Sequence, residues 1–150
     1  MTLAISGEEL AKRIEEANPG TTESSDNAAV WVTKDSLLSV CTFLKTDSSL
    51  SFDYLVSISA VDYIEYFEVV YHLVSIQHNH SSIIKTKCWG REHLEVDSII
   101  HLWQGADFQE REIYDLMGIQ FTNHPNLKRL MLWEGFPGNP QRKDYLEAPR

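Results

Sequence analysis

Between Phe52 and Trp89 the chain carries three strand-like runs joined by connections of hairpin length, and this limits its fold more than any other feature. FDYLVSISAVDY, from Phe52, alternates Leu55, Ser57 and Ser59 against Val56, Ile58 and Ala60 in part, as a strand with one covered face does. FEVVYHLVSIQ, from Phe67 to Gln77, is rich in β-branched and aromatic residues, and SIIKTKCW, from Ser82 to Trp89, is the third run. Connections at Ile64-Glu65 and Asn79-His80 suit an antiparallel meander. Ahead of it SGEELAKRIEEA reads as a helix capped by Ser6, with Glu9 at the capping-box position and Leu10, Ile14 and Ala17 on one face. TTESSDN then reads as a polar loop and Ala28–Thr33 as a short strand. Thr33 or Asp35 caps a second helix with Leu37, Leu38, Cys41 and Leu44 buried. Glu95–Trp103 is predicted to be a further helix, packing Ile99, Ile100 and Trp103. The fold class is therefore α+β: a largely antiparallel sheet with helices packed on it, followed by an extended C-terminal arm.

The arm begins where a densely charged helix ends. Asp107 is placed to cap that helix, with Glu110 three residues on, and Gly118 stands where a left-handed C-terminal cap belongs. Ile113, Leu116 and Met117 share one arc; Arg111, Glu112 and Asp115 cluster on the other around Phe108, with Arg111 and Asp115 spaced to pair. After Gly118 come four of the five prolines, and Trp133, Phe136 and Tyr145 have no periodic element to bury them. Each such ring presents on the order of 150–250 Å² to be covered. Residues 1–122 are read as the α+β domain and 123–150 as a docking arm of the same unit, which folds back or lies across another protein. A chain cut after residue 122 is expected to keep its fold and lose its partner.

Charge and composition narrow the functions. A net charge of −9 argues against nucleic-acid binding, which needs a basic face. The charge is uneven, −11 over residues 1–122 and +2 over 123–150, so a basic arm follows an acidic body. No apolar run approaches the roughly 18–20 residues of a membrane span, and the N-terminus lacks a secretion signal, so membrane contact is expected only through a partner. Cys41 and Cys88 stand 47 positions apart, which suits buried thiols in a reducing compartment and not an iron–sulfur cluster with its usual four cysteines.

Candidate chemistry is sparse. The chain has no glycine-rich phosphate loop, nucleophile elbow or zinc-protease helix. His78 and His80 would share one face of a strand, but no cysteine or carboxylate cluster completes a metal site, and a solvated hairpin tip is favoured. His124-Pro125 suits a turn better than a base. Glu110, Arg111, Glu112 and Asp115 are either a general acid–base set or an ionic lattice fixing the helix against an arm or partner; without a nucleophile or cofactor motif the lattice is favoured. Arg142-Lys143-Asp144 would bind phosphate or, with an acid inside the cluster, anchor a protein.

Taken in order, Glu110-Arg111-Glu112, Tyr114-Asp115, Gly118-Ile119, His124-Pro125, Lys128-Arg129-Leu130 and Arg142-Lys143-Asp144-Tyr145 resemble the signature of the C-subunit family of NADH–quinone oxidoreductase, respiratory complex I, whose plastid members are J subunits. The ordered match spans about 40 residues, whereas residues 1–50 carry little of it. Phe136-Pro137-Gly138-Asn139-Pro140-Gln141 replaces the family's usual Trp-x-Gly-x-Pro-Leu, so Gln141 stands where an apolar residue is customary.

The resemblance implies an accessory subunit of the peripheral arm. It would carry no cofactor, catalytic residue or metal of its own, the iron–sulfur clusters and flavin belonging to partners. It would pack on the large, D-type quinone-site subunit and on neighbouring peripheral-arm subunits, supporting electron transfer to quinone coupled to proton translocation. Its place would be the cytoplasmic side of the cell membrane, or the stromal side of the thylakoid in a plastid. Glu110, Arg111, Glu112, Asp115, His124, Lys128, Arg129, Trp133, Phe136, Arg142, Lys143, Asp144 and Tyr145 are then the expected partner-binding residues. An equivalent subunit of a membrane-bound hydrogenase-type complex is the same-family alternative. A stand-alone acid–base enzyme using Glu110, Glu112 and His124 is the rival from another class.

Overall fold

A computed structural model describes residues 1–146 of the chain; the last four residues of the predicted arm lie outside it. The three central runs form the expected meander of β4 (Tyr54–Asp62), β5 (Tyr66–Ser75) and β6 (His80–Trp89). Both pairings are antiparallel. Inward-facing Phe67, Val69, Tyr71 and Leu73 of β5 alternate with Glu68, Val70, His72 and Val74 on the other face. The alternation breaks in β4 because a bulge between Leu55 and Ser57 shifts the pairing by one residue. Leu55 and Ile58, three apart, both point into the core as a result.

β6 is the hinge of a mixed sheet. On its far side it pairs in parallel with β1 (Leu3–Ala4) and β3 (Val30–Val32), and β3 pairs antiparallel with β2 (Thr22–Ser25). The order is β2-β3-β6-β5-β4, with β1 also against β6. β2 corrects the loop expected for TTESSDN: its side chains are polar, yet its backbone completes the sheet edge beside β3. Two helices cover one face. α1 (Gly7–Ala17) is capped as expected, the Ser6 hydroxyl accepting from the Glu9 N–H at 3.2 Å, and it buries Leu10, Ala11 and Ile14 while Ala17 is exposed. α2 (Leu37–Thr46) buries Leu37, Val40, Cys41 and Leu44, leaving Leu38 outside.

The segment predicted as a helix from Glu95 to Trp103 is the main local correction. It is a short strand, β7 (Glu95–Asp97), followed by turns, and it pairs in parallel with β8 (Gln120–Thr122). Between these strands runs the charged helix α3 (Ala106–Met117), packed against β4. Val96, Ile99, Trp103, Ile119 and Phe121 extend the core beneath it. Three-residue strands have too little sequence to show a period of two, and it is α3 that brings them together. Among the described residues no helix is long and apolar enough to cross a membrane.

The end of α3 behaves as expected, the start does not. Gly118 takes the left-handed conformation (φ 78°, ψ 19°) and its N–H returns to the Tyr114 carbonyl. At the N-terminus Gly105 occupies the cap position and Asp107 lies inside the first turn, where a carboxylate still complements the helix dipole. Gly118→Ala should lower stability by about 1–2 kcal/mol in chemical denaturation, from left-handed strain. The new methyl would also meet the Asn139 side chain.

Candidate functional site: a charged helix and the arm it holds

Three of the four motif charges on α3 are turned inward and bonded within this chain. Asp115 is fully buried. Its Oδ2 accepts consecutive backbone N–H groups from Leu130 (3.2 Å), Met131 (2.8 Å) and Leu132 (2.9 Å), while Oδ1 receives the Arg129 guanidinium at 3.3 Å. Burial pushes this carboxyl up, but the three N–H groups and Arg129 outweigh it, and its pKa falls below the usual aspartate value. Arg111, also buried, donates to the carbonyls of Lys128 (3.2 Å) and Arg129 (3.4 Å) and lies over the Phe108 ring at 5.4 Å. Arg111 and Asp115 therefore both bind the loop after His124, and the expected pair between them gives way to Asp115–Arg129.

Glu110 faces the opposite way. It is fully buried and accepts from the Ser98 hydroxyl (2.6 Å) and the Ile99 N–H (2.9 Å), tying the turn after β7 to α3. Burial pushes its pKa up to about 7, against the lowering by those two donors, and Asp107 raises it further. Glu112 is exposed. His124 has a fully buried side chain; its Nδ1 accepts the Asn126 N–H at 3.0 Å, which leaves Nε2 as the N–H, facing the Asp107 carbonyl at 3.4 Å with Asp107 Oδ1 3.1 Å away. The geometry thus separates the residues of the acid–base reading: Glu110 is enclosed, Glu112 faces solvent, and His124 closes a turn against Asp107.

The arm completes the helix. The last carbonyls of an α-helix lack intrahelical donors. Here Asn139 Nδ2 donates to Asp115 O (2.9 Å), the Gln141 N–H to Leu116 O (3.0 Å), and Arg142 Nη1 to Met117 O (3.4 Å). Gln141 acts through its backbone, and the residue is exposed. Arg129 adds a bond to Gly138 O at 3.0 Å.

A second clasp fastens the end of the arm. Arg91 forks onto Asp62, with Nη2 2.8 Å from Oδ2, and also reaches Asp144 at 3.0 Å. The Lys143 N–H donates to Asp62 Oδ2 at 2.9 Å. Arg142 grips Asp144 at 2.8 Å and the Arg91 carbonyl at 2.7 Å, and both guanidinium groups lie over the Phe67 ring. The Arg91 hydrogen bonds, against burial and together with the Lys143 and Ile64 N–H groups, hold the Asp62 carboxyl well below the usual range; Arg142 and Arg91 do the same for Asp144. The Tyr145 ring lies against Gly138. Arg91→Ala should speed amide exchange at Ile64 and Lys143, measured by hydrogen–deuterium exchange, with β5 and β6 unchanged.

Among the partner-binding residues expected from sequence, Glu110, Arg111 and Asp115 are therefore enclosed. Arg129, Arg142, Asp144 and Tyr145 hold the arm. Glu112, Lys128, Trp133 and Lys143 are exposed, Trp133 by 64%, and Phe136 is half-buried with its ring edge-on to Trp133 at 5.7 Å. Sequence reasoning missed Asp62, Arg91, Ser98 and Asn139. Each is a single polar residue at the end of a strand or in a loop, and its partner lies 12 to 81 positions away. Cys41 and Cys88 are buried free thiols, pushed by burial to about 12 and about 11.

Comparison with known proteins agrees with these residues. The family described as "Respiratory-chain NADH dehydrogenase, 30 Kd subunit" matches residues 30–150. The C subunit of NADH-quinone oxidoreductase from Dinoroseobacter shibae is 40% identical over 97% of this chain and 69% of its own length. The mitochondrial NADH-ubiquinone oxidoreductase 30.4 kDa subunit of Neurospora crassa is 40% identical over 80% of this chain, which spans 43% of that protein. Among solved structures, a chain of the membrane-bound sulfane sulfur reductase, described as an archaeal respiratory membrane complex, superposes with a TM-score of 0.72 at 25% identity, over 93% of this chain and 85% of that one. An α+β domain of this topology, carrying the charged helix and its clasped arm, belongs to the respiratory-chain NADH dehydrogenase 30 kDa subunit family, which is the C-subunit family of NADH-quinone oxidoreductase.

Proposed function

We propose that this chain is an accessory, cofactor-free subunit of the peripheral arm of an NADH–quinone oxidoreductase. It supports the large quinone-site subunit in electron transfer to quinone and proton translocation, and sits on the cytoplasmic side of the cell membrane, or the stromal side of a thylakoid. The carrying observation is what the motif charges do. Glu110, Arg111 and Asp115 are engaged in fixing α3, the turn after β7 and the arm, so the motif builds a rigid outer face, and Glu112, Lys128, Trp133 and Lys143 are left exposed. That face suits docking better than chemistry, since fixed exposed aromatics and cations are what interface anchors are made of.

A tagged chain purified from native membranes should bring down a large subunit with NADH–quinone reductase activity. Its removal should cost the membranes that activity. A tagged chain recovered alone, with activity intact in its absence, would defeat the proposal. The likeness to the sulfane sulfur reductase chain supports a second reading, the equivalent subunit of a hydrogenase- or sulfur-reductase-type membrane complex. The electron donor oxidised by the purified assembly separates the two.

A further inference from the structure

Arg111 is the only cation on α3, it is 7% exposed, and among the described residues no carboxylate pairs with it. The acids one helical turn to either side are taken, Asp107 by His124 and Asp115 by Arg129. Glu112, about 100° round the helix, and Glu134 are exposed to water, and neither comes within ion-pair distance of Arg111. What the chain gives this guanidinium is two neutral carbonyls. Nε donates to Lys128 O at 3.2 Å and Nη2 to Arg129 O at 3.4 Å, both from the side of the group that carries Nε. A guanidinium holds five N–H donors in a planar fork. Its other edge, Nη1 with the second hydrogen of Nη2, has no acceptor among the described residues. Nη1 is not enclosed, so that edge opens to the surface. Beside it stands the Phe108 ring, 61% exposed, with the guanidinium 5.4 Å from its centroid.

We propose that the open edge of Arg111 and the Phe108 ring form a socket for one carboxylate side chain, an aspartate or glutamate projecting from a neighbouring subunit of the assembly. This rests on the proposed function, which supplies the neighbour, and it names the group that docks. Two N–H groups side by side on a full charge match the two oxygens of a carboxylate, which they bind through paired charge-assisted hydrogen bonds. A guanidinium buried against carbonyls alone keeps its charge uncompensated, and that costs free energy until an anion meets it. The occupant follows from this fork and its burial, not from the sign of the surrounding surface: the exposed acids nearby are solvated and cannot turn into the edge from where α3 and the arm hold them. The socket also adjoins the face described above, since the loop whose carbonyls Arg111 holds continues to exposed Trp133.

Arg111→Lys in the full-length tagged chain tests this. The substitution keeps the charge and loses the fork, and its amine, unlike a guanidinium, is coupled by a water-soluble carbodiimide to a carboxylate in contact with it. Membranes carrying the variant, treated with that reagent, should yield an amide link from position 111 to an aspartate or glutamate of a neighbouring subunit, located by mass spectrometry of the joined peptides. Wild type gives no link at that position. Arg111→Met, which keeps the stem without a donor, should be retained about tenfold less than wild type in the assembly purified after a salt wash. A merely structural arginine would lower the melting temperature of the isolated chain and give no link to a neighbour. A variant assembly in which other lysines are linked but position 111 is not, or is linked only within its own chain, overturns the inference and leaves the proposed function standing. So does an Arg111→Met chain that folds and is retained like wild type; if circular dichroism shows that variant unfolded, the link decides. A link to a second copy of this chain overturns the choice of occupant. A wild-type chain found in no assembly brings down the proposed function and this inference together.

Discussion

Asp115→Ala lowers the unfolding free energy by about 3–5 kcal/mol, as expected for removing one partner of a buried, hydrogen-bonded charge. The side chain is fully buried and holds three successive N–H groups of the loop together with Arg129. Alanine removes the acceptor of all four at once: Arg129 keeps its bond to the Gly138 carbonyl, but the three part-buried N–H groups lose theirs, and a donor left buried without a partner costs about 1–3 kcal/mol by itself. Urea denaturation followed by far-ultraviolet circular dichroism reads the loss, and a change below about 1 kcal/mol would show the loop to be held by other means. Asp115→Asn keeps an acceptor but removes the charge, so it should fall between the two. The pKa of Asp115 is depressed. Its contribution is therefore complete above the ordinary aspartate value and is lost as the pH falls through the lower folded value. The same contacts revise the expectation for a chain cut after residue 122. Without the arm, buried Asp115 and Arg111 have nothing to bind and the end of α3 is uncapped, so the truncated chain should unfold more readily rather than persist as a sound domain.

Glu110→Gln is the second large effect, and its sign is opposite. Glu110 has a folded pKa of about 7 against an ordinary value of 4.5, because burial penalises its charge more than Ser98 and Ile99 offset it. The folded state thus holds a proton that the unfolded chain releases earlier. Stability from this group is fully present below pH 4.5, declines as the pH rises toward 7, and is lowest above it. A displacement of that size corresponds to about 3 kcal/mol at most. Glutamine mimics the protonated acid, accepting from the Ile99 N–H and donating to the Ser98 hydroxyl. The variant should match wild type near pH 5 and exceed it by up to about 3 kcal/mol at pH 8. Urea denaturation at those two pH values is the check; parallel profiles would show that Glu110 titrates in the ordinary carboxylate range.

The elements legible in sequence were those whose signal is local and repeated. β5 is a long run rich in β-branched and aromatic residues with β6 a short connection away, α1 begins with a serine cap, and Gly118 ends α3 because a left-handed residue was needed there. The misreadings concern segments decided by contact. β2 is polar throughout and becomes a strand because β3 lies alongside; β7 is three residues long and exists through β8. The bulge at Val56 is likewise a property of the β4–β5 pairing, which is why Leu55 and Ile58 break the simple alternation.

At the site the division is the same. The order of residues from Glu110 to Tyr145 was enough to indicate the family, since a spaced pattern of charged, glycine and proline positions is a property of the chain itself. Composition likewise set the acidic body against the basic arm. Which charges face inward could not be read that way. Arg111, Glu112 and Asp115 look alike on a helical wheel, and only the path of the arm across α3 buries two of them and leaves the third in water. Asp62 meets Lys143 across 81 positions. Helical periodicity and capping act over a few residues of one segment, whereas burial and ion pairing depend on what packs there, and that is decided by the tertiary structure.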